Sequence, residues 1–126
     1  MTLTYFKDQG QIYLDQISYA GNITQGVAPT NYVKFYRDGS RSDAPAMYST
    51  NFPVATAYRV KTIDVVANGS RVRAYSLSYG QSNSAVTGRS LLSSITEYGS
   101  DAQLDGTNTV NSGTCHFSEP LTHLSF

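Results

Sequence analysis

Apolar and polar residues alternate along most of this chain, and the alternation predicts strands. Leu3 to Lys7 and Gln11 to Tyr19 are strand-like and meet at Asp8-Gln9-Gly10, which reads as a short hairpin turn. Asn31 to Arg37 sets Tyr32, Lys34 and Tyr36 against Val33, Phe35 and Arg37, the pattern of a half-buried strand, and Asp38 to Asp43 closes it with turn residues. The clearest signal runs from Tyr58 to Tyr79. Two stretches rich in β-branched and aromatic residues flank Asn68-Gly69, a dipeptide suited to the two positive φ angles of a type I′ turn. A long antiparallel ribbon follows, with arms 54–67 and 70–80.

A plain two-residue turn sets the register of that ribbon. Ala67 falls opposite Ser70, Val65 opposite Val72, Asp64 opposite Arg73, Val60 opposite Leu77 and Tyr58 opposite Tyr79. In this register Ile63, Val65, Val72 and Ala74 share one face near the turn, while Val60, Leu77, Tyr58, Tyr75 and Tyr79 share the other near the base. The apolar stripe then changes face along the ribbon. A twisted ribbon is expected, with its base on the core and its tip, at Ile63, Val65 and Val72, against another segment or another subunit.

The remaining stretches are less regular. Gly21 to Thr30, Gly80 to Gly88 and Ser100 to Gly113 read as loops, and Ala44 to Pro53 as an irregular cover. In Arg89 to Gly99, Leu91, Ile95 and Tyr98 recur at helical spacing, but Ser, Thr, Ile and Tyr are indifferent helix formers, and strand is the preferred reading. Thr114 to Phe117 and Leu121 to Phe126 add two short strands around Pro120, which belongs at an edge or between them. The whole is an all-β single domain over residues 1–126: an antiparallel meander of seven or eight strands forming a barrel or sandwich.

Composition agrees with that class and removes several functions. Only 14% of residues are charged, against roughly a quarter in ordinary globular chains. Lys and Arg number 9 and Asp and Glu 9, so no net field and no basic cluster draws nucleic acid. No apolar run approaches the ~20 residues of a membrane span. Met1-Thr2-Leu3-Thr4 lacks the basic and apolar regions of a signal peptide, pointing to a cytoplasmic protein or to a piece of a larger, exported assembly.

Candidate chemistry is sparse. Cys115 and His116 are neighbours on a strand and point to opposite faces, a poor start for nucleophile activation, and with His123 they make no dependable metal signature. The nine acidic residues are scattered. The expectation is therefore no enzyme, no catalytic residues, no metal and no cofactor. The 10 tyrosines, without tryptophan, are the compositional oddity. Tyr58, Tyr75 and Tyr79 gather at one end of the ribbon and are the candidates for a ligand-lined pocket, although half-buried strand packing accounts for the same residues.

Three motifs occur in order: Tyr13-Leu14-Asp15-Gln16-Ile17-Ser18-Tyr19, then Arg73-Ala74-Tyr75-Ser76-Leu77-Ser78-Tyr79, then Gly88-Arg89-Ser90-Leu91-Leu92. Over roughly residues 11–101 the chain resembles a β-rich segment of bacterial Rhs/YD-repeat and toxin-complex B-component shell proteins. The resemblance implies an all-β structural segment of a shell around a toxic cargo, with no catalytic residues to carry over, and it supports strand over helix for Arg89 to Tyr98. The repeated Tyr-Asp units and the cargo domain of those proteins are not in this chain. Two readings follow: a structural or interaction module, acting as a homo-oligomer or on a larger protein partner, and a small-molecule or carbohydrate-binding barrel using the tyrosines.

Overall fold

A computed structural model of the chain describes residues 1–21, 24–39, 46–47, 54–55, 57–79 and 91–120. Among the described residues eleven strands follow one another: β1 (Thr2–Asp8), β2 (Gln11–Tyr19), β3 (Asn31–Gly39), β4 (Ala46–Met47), β5 (Val54–Ala55), β6 (Tyr58–Ala67), β7 (Ser70–Tyr79), β8 (Leu92–Tyr98), β9 (Gln103–Leu104), β10 (Val110–Ser112) and β11 (Cys115–Pro120). Seven of them form one antiparallel sheet in the order β1-β2-β3-β6-β7-β8-β11, a meander interrupted by two small hairpins, β4/β5 and β9/β10. β1 and β11 are its outer strands, so among the described residues the sheet is open and does not close into a barrel.

Local chemistry explains the hairpins. Gln9 and Gly10 have φ of 46° and 80°, and Asn68 and Gly69 have 51° and 76°, so both turns carry the two positive angles that match the right-handed twist of the strands. The stretch with mixed helical spacing is strand β8, paired with β7 and β11. Within the polar loop 100–113, β9 and β10 form a hairpin tied by Asp105, whose Oδ1 accepts from the amides of Thr107 (2.8 Å) and Thr109 (3.1 Å). The expected strand Leu121 to Phe126, the loop Gly80 to Gly88 and most of the cover Ala44 to Pro53 lie outside the described residues.

The ribbon register differs from the expected one beyond its first two pairs. Ala67 opposes Ser70 and Val66 opposes Arg71 as expected, but Val65 opposes Arg73, leaving Val72 as the extra residue of a bulge. Every later pair is shifted by one. Asp64 therefore faces Ala74, not Arg73, and Ile63 faces Tyr75. The bulge restores a continuous apolar face that a plain turn would have broken. Ile63, Val65, Tyr75 and Leu77 lie on the same side, and Ala74 on the opposite side, because paired residues share a face and neighbours along a strand do not.

Rows of paired residues extend this across the sheet. Leu3, Ile17, Val33 and Val65 form one apolar row, Phe35, Ile63 and Tyr75 a second, and Leu77 with Ile95 a third. The other face carries Thr2, Ser18, Tyr32 and Val66, then Thr4, Gln16, Lys34, Asp64 and Ala74, then Tyr36, Thr62, Ser76 and Thr96. Burial is deepest on that second, more polar face: Ser18, Thr62, Asp64, Val66 and Ala74 are buried, together with Ala102 from the covering segment. Small side chains let the chain around Ala102 come close. Arg71 fastens it, donating from Nη1 to the Ala102 carbonyl at 2.7 Å, and Lys61 Nζ donates to the Thr107 carbonyl.

Candidate functional site

A concave site lies at the base of the ribbon, where three strands meet. Ile12, Tyr13 and Leu14 of β2, Phe35 and Arg37 of β3, and Tyr58, Arg59 and Val60 of β6 line a cavity of about 340 Å³. Its aromatic wall is a packed cluster. The Tyr58 ring meets Phe6 edge-on at 5.4 Å and Tyr13 at 5.6 Å between centroids, the arrangement that ring quadrupoles favour. Tyr13 is held further by the Ala57 amide, which donates to its hydroxyl at 3.0 Å.

Two guanidinium groups complete the lining, each fixed by a carboxylate and an aromatic ring. Arg37 donates to Asp15 Oδ1 at 2.8 Å and lies 4.4 Å over the Phe6 ring. Arg59 donates from Nε to Asp38 Oδ2 at 2.7 Å and lies 4.3 Å over the Tyr79 ring. Lys34 also donates to Asp15, at 2.5 Å. Burial pushes the Asp15 carboxyl up, but the bonds and charges of Lys34 and Arg37 outweigh it and hold the group below its ordinary value of 3.8. Since each guanidinium already faces a carboxylate, the cavity offers aromatic faces and N–H donors with little net charge. That chemistry suits a neutral polar ligand with an apolar face, such as a sugar ring, better than a strong anion.

The three tyrosines chosen from the sequence part company here. Tyr58 lines the cavity. Tyr79 stands beside it under Arg59 and donates to the Val60 carbonyl at 2.7 Å, while Tyr75 sits on the apolar face in the row of Ile63 and Glu97. The sequence reading missed Phe6, Tyr13, Arg37 and Arg59. Tyr13 and Asp15 stood in a quoted motif, but nothing in the alternation of β1, β2 and β3 showed that their ends meet the ribbon base.

Of the association residues, Ile63 and Val65 are half-buried on the apolar face and Val72 is 42% exposed at the bulge. Cys115 is exposed on the outer strand β11. The neighbouring His116 ring packs on Gly99 close to Asp101, and Asp101 Oδ2 is engaged by the Thr114 amide (2.8 Å) and hydroxyl (2.6 Å), which hold its carboxyl below its ordinary value. His123 lies outside the described residues. Among the described residues no three His, Cys, Asp or Glu side chains group as metal ligands, and no helix is long and apolar enough to cross a membrane.

Compared with protein-family models, with curated proteins and with solved structures, the chain matches none.

Proposed function

We propose that this chain is a non-enzymatic structural or interaction module that works by association, with copies of itself or with a larger protein. The open sheet carries the reading. Its outer strands expose Leu3, Tyr5 and Phe117, and Ile12 and Val72 add exposed apolar surface at the two ribbon-like turns. The ordered motifs of residues 11–101 are the ground for likening it to a bacterial toxin-shell segment, where a sheet of this kind would serve as wall. The test is solution mass by light scattering over a concentration series. A stable dimer or larger assembly supports the reading, and a strict monomer at every concentration removes self-association.

A second reading rests on the cavity at the ribbon base: a small-molecule or carbohydrate site lined by Tyr13, Tyr58, Arg37 and Arg59. Ligand screening by thermal stabilisation tests it. A sugar that raises the unfolding temperature of the wild type and not of Tyr58→Ala supports it.

A further inference from the structure

We infer that two copies of this chain join along β1, the strand of one pairing antiparallel with the same strand of the other about a two-fold axis at Thr4. The inference rests on the association reading above and gives it a surface. β1 is an outer strand and is exposed from Thr2 to Tyr5, with Leu3 at 39% and Tyr5 at 56%. Among the described residues no strand pairs with that edge, so its N–H and C=O groups form a template for another strand. From Thr2 to Phe6 it holds no charge, no proline and no glycine. Edges that stay single are normally blunted by such residues, and this stretch is not; where β1 and β2 break register between Thr4 and Tyr5, the extra residue is Asp15 on β2, so β1 itself runs on without a bulge.

The other edge is blunted. β11 ends in Pro120, which has no N–H to give, includes Glu119, and breaks register between Cys115 and Phe117. A β1-to-β11 contact would also repeat from copy to copy without closing, whereas a β1-to-β1 contact closes at two. Among the described residues the β1 edge is thus the one suited to pairing, and it is complementary to itself.

Charge and apolar pattern choose the register. Lys7 and Asp8 sit together at one end of β1. Parallel pairing would put Lys7 beside Lys7, while antiparallel pairing sends like charges to opposite ends. With the axis at Thr4, Leu3 faces the partner's Tyr5 and Tyr5 faces the partner's Leu3. Leu3 belongs to the row of Ile17, Val33 and Val65, so the apolar row continues across the axis. An axis at Tyr5 would set Leu3 against Lys7 instead.

Two measurements on the full chain test this. In a Cys115→Ser background, Thr4→Cys is expected to form a disulfide-linked dimer in dilute solution, since paired Cα atoms about 4.5–5.5 Å apart fall within disulfide range. Lys7→Cys, whose two copies would lie about 20 Å apart along the strands, is expected to cross-link at least roughly tenfold more slowly. Separately, Leu3→Lys with Tyr5→Lys is expected to raise the dimer dissociation constant at least about tenfold by light scattering. Should the wild type associate while Thr4→Cys links no faster than Lys7→Cys, the β1 edge is wrong and association lies elsewhere. A wild type that is monomeric throughout overturns this inference and the association reading together. If the lysine variant fails to fold, the cysteine pair still decides.

Discussion

Arg71 grips Asp64 with both arms of the carboxylate, Nε to Oδ1 at 2.6 Å and Nη2 to Oδ2 at 3.0 Å, across the bulge made by Val72. Asp64 is 2% exposed, and the bond from its carboxylate raises the Arg71 guanidinium above its ordinary value. The same arginine holds the cover through the Ala102 carbonyl. Removing Arg71 leaves a buried carboxylate alone. Arg71→Ala is expected to cost about 3 kcal/mol in urea unfolding, and Asp64→Ala less, because the freed guanidinium reaches water. Arg73 lies 3.6 Å from Glu97 on an exposed site, and Arg73→Ala should unfold close to wild type. Equal losses at Arg71 and Arg73 would contradict the bulged register.

Thr62 is fully buried in the middle of β6, and its hydroxyl has no hydrogen-bond partner among the described residues. Valine has the same shape without that oxygen. Thr62→Val is expected to be neutral or to stabilise by about 1 kcal/mol, read from the denaturant midpoint at unchanged slope. A clear loss would mean the hydroxyl is satisfied in solution.

Acid should weaken the fold through three carboxylates. Asp15 is held below 3.8 despite burial by Lys34 and Arg37, Asp101 by Thr114, and Asp105 by Thr107 and the Thr109 amide. Groups with a lowered folded-state pKa contribute stability above their unfolded value and lose it as pH falls through the folded one. Stability is therefore expected to be flat above about pH 5 and to decline as pH drops past the ordinary carboxyl value. Asp15→Asn should flatten that decline, measured by thermal unfolding across pH.

The β6–β7 turn makes a local test. Gly69 has φ of 76° and open space where a Cβ would sit, so Gly69→Ala meets only backbone strain. A loss of about 1 kcal/mol is expected, with no change in the slope of denaturant unfolding. Asn68→Gly should change stability by less, since glycine takes the same φ without penalty.

Most strands were legible because strand alternation and turn chemistry are local. Asn68-Gly69 and Gln9-Gly10 announce their turns, and β8 shows as strand through its residue types despite the spacing of Leu91, Ile95 and Tyr98. The register was not legible past Val66 and Arg71. Arg71 and Arg73 are both arginines within reach of Asp64 on paper, and nothing between them marks Val72 as the residue to be left out. The cavity was half legible. Tyr58 was found, but its partners Tyr13 and Phe6 come from strands 45 and 52 residues earlier in the chain.

The residues alone settle which segments extend, where they turn, and which side chains share a face inside each strand, since a period of two needs only neighbours. They do not settle which face is covered or where a bulge resets the alternation. Those choices depend on contacts between distant segments: Arg71 with Asp64 and the Ala102 carbonyl places the bulge, and Tyr58 with Phe6 and Tyr13 builds the cavity wall. A one-residue bulge changes little in local propensity, but it moves every later side chain to the other face, so its position is decided by the burial it achieves.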